Sequence, residues 1–203
     1  MYLVFDTETT GLPYWNQSGN YRSQARIMQL AAFLMDENFA EVNSFAVLLK
    51  PTLDWPEVHP KAFEGHGLTK ELCEVYGVPQ TIAMAMFHSF IANAKHVAGH
   101  NLRFDAFMVD VEMERLGNPK YNWMRGICTM RASSELYRTK FPSKKGPGPN
   151  LSEMYNFAFD SEFDNAHDAL ADCKATACIL GYLIQNKHIN LEEFAPAEVE
   201  VKE

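Results

Sequence analysis

An apolar run, Tyr2 to Phe5, opens the chain and stops at Asp6, and two longer runs follow, Ile27 to Met35 and Phe39 to Leu49, around an Asp-Glu-Asn turn. This patterning predicts three strands. Proline and glycine then punctuate residues 51–67, read as irregular chain, before a short helix over Thr69–Tyr76 with Thr69 as its cap. Helical spacing resumes near Pro79, where Ile82, Met86, Phe90 and Ile91 are expected on one face, and gives way to a small apolar strand, His96-Val97-Ala98-Gly99. Asn101 is expected to cap a helix reaching Leu116 and stopped by Gly117-Asn118-Pro119. A short strand at Gly126–Thr129, a helix to Tyr137 and a loop from Phe141 to Pro149 come next, then a short helix from Leu151 and a long one from about Asp168 to Gln185. Strands first, then helices alternating with short apolar strands, predict an α/β fold in which a mixed sheet is flanked by helices.

Length and composition bound the organisation. With 203 residues, 47% of them hydrophobic, the chain can build one substantial core. The expectation is one domain over residues 1–186 and an acidic tail, 187–203, serving as a loose end or a docking segment. No stretch approaches the roughly 20 apolar residues that cross a bilayer, so no membrane partner is expected. Cys73, Cys128, Cys173 and Cys178 have neither disulfide-scaffold nor zinc spacing. They are read as small core residues with reduced thiols, in keeping with a cytoplasmic protein.

The net charge of −8 argues against simple attraction to phosphate, but its distribution is uneven. Between Lys120 and Lys145 lie Arg125, Arg131, Arg138, Lys140 and Lys144, with Glu135 the only acid. This stretch is expected to guide a polyanion if it lies beside an active site.

The chemistry sits in three motifs. In Asp6-Thr7-Glu8, strand alternation turns both carboxylates the same way, and the following Thr9-Thr10-Gly11-Leu12 is a turn whose backbone can approach a sugar or phosphate. His100-Asn101-Leu102-Arg103-Phe104-Asp105 puts Asp105 in the first turn of a helix, where helix-end stabilisation is the competing explanation. In His167-Asp168-Ala169-Leu170-Ala171-Asp172, residues five apart on one helix would diverge by about 140°. His167 is therefore expected before the helix, free to fold over a site onto which Asp172 projects, while Asp168 has an adequate helix-end role. Carboxylates converging on one pocket repel by roughly 4 kcal/mol per close pair, so cations must hold them ionised. Hard oxygen donors suit Mg²⁺ or Mn²⁺.

The ordered set Asp6/Glu8, His-Asn-x-x-Phe-Asp ending at Asp105, and His167-x-x-x-x-Asp172 resembles the DEDDh family of 3′→5′ exonucleases, nearest to the proofreading type of bacterial DNA polymerase III. The resemblance extends to Phe63–Leu72, Phe141-Pro142 and Asn150–Ser152. It implies a ribonuclease-H-like fold with a central mixed five-stranded sheet. It also implies two Mg²⁺ or Mn²⁺ ions held by Asp6, Glu8, Asp105 and Asp172, with His167 as general base. Similarity further suggests that Thr9, Gly11, Leu12, His66, Asn101 and Phe104 receive the 3′-terminal nucleotides. The implied partner is single-stranded nucleic acid or a frayed 3′ end, DNA before RNA, with a polymerase or other replication protein as a further candidate.

One departure is the long segment Pro13 to Arg26 between the first strands, whose Tyr14, Trp15 and Tyr21 are expected to touch the incoming strand. Two other readings stay open: an RNA-directed exonuclease of the same chemistry, and a non-catalytic nucleic-acid-binding or docking module, whose mark would be missing ligands.

Overall fold

Apolar side chains on both faces of the first strand, Leu3 and Phe5 on one and Tyr2 and Val4 on the other, fix it at the centre of a two-sided core. The computed structural model describes residues 1–15 and 23–194. Strand β1 (Tyr2–Thr9) pairs antiparallel with β2 (Ile27–Met35), which pairs antiparallel with β3 (Glu41–Leu48). On its other side β1 pairs parallel with β4 (His96–Gly99), and β4 with β5 (Ile127–Cys128). Among the described residues this is one five-stranded sheet in the order β3-β2-β1-β4-β5, covered by helices on both faces. The fold is the expected ribonuclease-H-like α/β arrangement.

Helices α1 (Pro60–His66), α2 (Lys70–Tyr76), α3 (Gln80–Ile91) and α4 (Leu102–Arg115) precede α5 (Thr129–Ala132), α6 (Ser134–Lys140), α7 (Leu151–Phe159) and α8 (Ala169–Gln185). Leu3 and Phe5 pack with α3 and α4 residues such as Phe87 and Val109; Tyr2 and Val4 pack with α8 residues such as Cys173 and Leu180. Asp6 and Glu8 continue the Tyr2/Val4 face toward α8, and Thr7 continues the Leu3/Phe5 face toward α4.

Several local expectations are corrected. The first strand does not stop at Asp6: backbone pairing carries it to Thr9, with a register shift between Glu8 and Thr9. Residues 51–67 are not wholly irregular, since α1 has Pro60 at its start and Gly67 (φ 66°) closing it. It buries no residue, so apolar spacing could not announce it. Helix α3 buries Ala83, Met84, Phe87 and Ile91, a face turned from the expected one, and leaves Ile82 exposed. Asn101 stands at the start of α4 with φ 70° but makes no side-chain capping bond. The helix expected up to Tyr137 is divided at the buried Ser133, whose hydroxyl donates to the carbonyl of Met130. Cys73 and Cys173 are core residues, whereas Cys128 is half-buried and Cys178 exposed. No described helix is long and apolar enough to cross a membrane.

Candidate active site

The three acidic motifs meet at one edge of the sheet because β1 and β4 run parallel and deliver their carboxyl ends together. Ligand atoms of Glu8, His167 and Asp172 all lie within 4.8 Å of one another. Asp6 belongs to the same cluster: burial raises its carboxyl well above the ordinary range, and the charges of Asp105, Glu8 and Asp172 raise it further.

Each acid is held by local structure. Asp105 is only 3% exposed, and its Oδ1 accepts from the backbone N–H of Thr7 at 3.0 Å and from the Thr7 hydroxyl at 2.8 Å. The residue between the two strand acids thus fastens the third. Asp168 is the cap of α8, accepting from the N–H groups of Leu170 (3.2 Å) and Ala171 (3.1 Å), in line with its helix-end reading. His167 lies before that helix at φ 71°, exposed, and its N–H donates to Asp172 at 3.3 Å. The bend lets residues five apart meet.

Electrostatics mark the cluster as a cation site. Burial, then Asp172 and Asp105, push Glu8 up to about 8; burial pushes Asp105 up to about 7 against the Thr7 hydrogen bonds; burial pushes Asp172 up to about 6 against the pull of His167. Among the described residues no lysine or arginine pairs with any of the four. Four carboxylates and one imidazole with no basic partner fit hard divalent cations.

The residues expected to contact nucleotides lie on the turn after β1, at the end of α1 and at the start of α4. Thr9 is buried and its hydroxyl donates to the carbonyl of Gly11 at 2.8 Å, and Leu12 is 80% exposed, which removes a core role for it. The His59 N–H donates to the carbonyl of Thr10 (2.8 Å), and His66 Nε2 lies 3.1 Å from the carbonyl of Thr9, so α1 is docked on this turn. A Cβ on Gly65 would meet the His167 ring at 3.9 Å, which brings His66 and His167 to the same mouth. Phe104 is half-buried against the core, while Asn101 is exposed.

Two supporting residues have roles that motif spacing does not assign. Gln29 donates from Nε2 to Asp168 (3.1 Å) and accepts from the Ala169 N–H (3.1 Å), tying the start of α8 to the strand position paired with Glu8. Its signal was present, as the one polar residue in an otherwise apolar strand. His100 Nδ1 lies 2.9 Å from the Thr129 hydroxyl, and its Nε2 lies 3.0 Å from the carbonyl of Pro149. Burial holds its ring down to about 4, hence neutral at physiological pH.

The basic stretch is dispersed. Arg125 stands beside Met1 and Lys95, near the opposite end of β1; Lys144 is paired with Glu153 at 2.8 Å; Arg138 donates to the carbonyl of Gly146 at 2.7 Å. Arg131 instead opens onto a cleft shared with Trp15. Trp15 packs on Phe107, and Tyr21 lies outside the described residues.

Comparison with known proteins agrees with this geometry. Residues 3–180 match the RNase T family, described as Exonuclease. No curated protein matches the chain. Similar solved structures include E. coli exonuclease I in complex with a dT13 oligonucleotide, 23% identical with a TM-score of 0.71 over 91% of this chain and 40% of that one. A zinc-bound form of the E. coli exonuclease I complex with single-stranded DNA is 22% identical, with a TM-score of 0.69 over 92% and 40%. A moderately thermophilic exonuclease I from Methylocaldum szegediense is 22% identical, with a TM-score of 0.68 over the same shares. The chain spans about two fifths of the length of these structures, and the likeness is one of fold.

Proposed function

The chain belongs to the RNase T exonuclease family, and on that premise we propose that it removes nucleotides one at a time from the 3′ end of single-stranded DNA. The observation that carries the reading is the meeting of Glu8, His167 and Asp172 within 4.8 Å, beside Asp6 and Asp105, without a basic partner among the described residues. A non-catalytic module would have no need to keep such a costly cluster intact.

Asp6, Glu8 and Asp172 would hold two divalent ions, with Asp105 supporting them and itself fixed by Thr7. When bound, such ions neutralise the carboxylates and stabilise charge developing on a phosphoryl group in flight. His167, exposed at the mouth, accepts a proton from the attacking water. The water oxygen forms a new bond to phosphorus, and the bond to the 3′-oxygen of the preceding nucleotide breaks. That oxygen takes a proton from solvent, and a nucleoside 5′-monophosphate departs. Thr9, Gly11 and exposed Leu12 receive the terminal sugar and base, with His66 and Phe104 beside them and Asn101 at the start of α4.

DNA is preferred over RNA in this reading because the similar exonuclease I structures hold a dT13 oligonucleotide and single-stranded DNA. The motif resemblance to the proofreading type supports a polymerase as a further partner. Residues 187–203 would be the docking segment beyond a catalytic domain of 1–186; of these, Ile189 is buried in the core with Tyr2 and Leu183, and 195–203 lie outside the described residues. Digestion of matched deoxy- and ribo-oligomers with Mg²⁺ or Mn²⁺, compared as kcat/KM, tests the assignment. Mononucleotide release from DNA, abolished by chelation and by Asp6→Ala, is expected. Preferred cleavage of the ribo-oligomer would move the protein to the exoribonuclease reading, and no cleavage of either would leave only a binding module.

A further inference from the structure

Helix α4 serves two surfaces. Asp105 turns toward Thr7 on β1, and Arg103 and Phe107, two residues to either side and so about 200° around the helix, turn away from it. There they line a cleft of about 670 Å³ together with Trp15, Trp123, Met124 and Arg131. The Trp15 ring packs on Phe107 with centroids 5.0 Å apart, and the Arg103 guanidinium lies 4.7 Å over the Trp15 ring.

The cleft and the acidic site flank α4 on opposite sides, and both lie at the edge of the sheet where the parallel strands end. Strands β1, β4 and β5 are parallel, so the residues after Gly99 and Cys128 emerge at the same edge as Glu8. The first turn of α4 supplies Arg103 to the cleft and Asp105 to the acids. Trp15 follows the exposed Leu12 by three residues, at most about 11 Å of chain.

Its chemistry is specific. Met124 is 91% exposed and Trp15 41%, an apolar surface facing water. Among the described residues Arg103 and Arg131 make no ion pair, although the chain as a whole carries a net charge of −8. The one carboxylate in the cleft, Asp110, accepts from Trp123 Nε1 at 2.8 Å. Flat rings beside uncompensated guanidinium groups bind bases by stacking and phosphates by charge, with little dependence on base identity. A purely apolar ligand would leave both arginines unsatisfied.

We propose that this cleft binds the single-stranded nucleotides upstream of the scissile end, holding the strand while its terminus occupies the acidic site. The proposal rests on the exonuclease reading above and adds to it a second binding surface, to which Trp15 contributes.

The experiment uses the full chain with 5′-labelled oligothymidylates of about three and about twelve nucleotides. Binding is followed by fluorescence anisotropy in chelator, and turnover in Mn²⁺. Trp15→Ala and Arg131→Ala should each weaken binding of the longer oligomer and raise its KM about tenfold. The short oligomer should change less than twofold, and kcat should hold for both. Trp15→Phe, which keeps a stacking ring, should restore most of the loss. Met124→Glu and Met124→Lys, at a side chain almost fully in solvent, should weaken and strengthen long-oligomer binding respectively, with both effects fading at high salt. The proposal is overturned if these variants match the wild type on both lengths, or if the wild type binds the longer oligomer no more tightly than the shorter. Failure of the exonuclease reading is distinct: the wild type would then release no nucleotide in Mn²⁺, and the binding series in chelator would still decide the cleft.

Discussion

Replacing Glu8 by Gln should stabilise the metal-free protein, and by an amount that depends on pH. Glu8 and Asp172 offer ligand oxygens within 4.8 Å of each other, which at an effective dielectric near 20 corresponds to a repulsion of about 3.5 kcal/mol between full charges. Burial and these neighbours push the Glu8 carboxyl from its ordinary 4.5 up to about 8. Between those values the folded protein keeps a proton that the unfolded chain has lost. The stability contributed by protonated Glu8 is therefore complete below pH 4.5 and disappears as pH rises through about 8. Gln stands in for the protonated form at every pH.

In chelator the two proteins should melt together near pH 4.5 and separate above it. With relaxation removing about half of the repulsion, the variant should be ahead by roughly 1.5 kcal/mol at about pH 8.5, or about 3–6 °C for a chain of this size. Addition of Mn²⁺ should reverse the order, because the wild type gains a ligand charge that the variant lacks. Differential scanning fluorimetry over this pH range, with chelator or Mn²⁺, reads both effects. Parallel melting curves across the range, or a variant less stable than wild type at alkaline pH in chelator, would refute the crowding of these carboxylates.

Gln29→Leu should lower kcat roughly 10–100-fold while oligomer KM stays within about twofold, since Gln29 holds the start of the helix carrying Asp172 through Asp168 and the Ala169 N–H. Steady-state kinetics over a Mn²⁺ series would check this. Arg26→Met should cost about 3–5 kcal/mol in urea unfolding, because Arg26 Nε pairs with buried Glu112 at 2.8 Å and its loss strands that carboxylate. Adding Glu112→Leu should recover much of the loss.

What was legible in the sequence follows what each signal reports. The apolar runs delimit β2 and β3 within two residues and the parallel strand His96–Gly99 at both ends; for β2 and β4 the reason is two-sided burial, which writes itself into composition, whereas β3 buries only Phe45. The spacing from His167 to Asp172 required a bend before the helix, and the bend is present. Helix α1 leaves no apolar periodicity because it buries nothing, and only Pro60 and Gly67 mark its ends. The buried face of α3 departs from its apolar spacing because small Ala83 turns inward while the larger Ile82 remains in solvent. Thr7 and Gln29 act through hydrogen bonds across 98 and 139 residues of sequence, a relation that no local spacing reveals. Proximity in sequence does not make the basic stretch one surface: internal partners take up Lys144 and Arg138, and Arg125 stands near the far end of β1.

The most direct measurement is a time course on single-stranded DNA labelled separately at its 3′ and 5′ ends, in Mn²⁺, with wild type and Asp172→Asn. Wild type should release the 3′ label first as a mononucleotide and shorten the 5′-labelled strand in single steps, while folded Asp172→Asn leaves both intact. Release of the 5′ label first, internal cutting, or equal activity in the variant would contradict a cation-dependent site built on Asp6, Glu8, Asp105, His167 and Asp172.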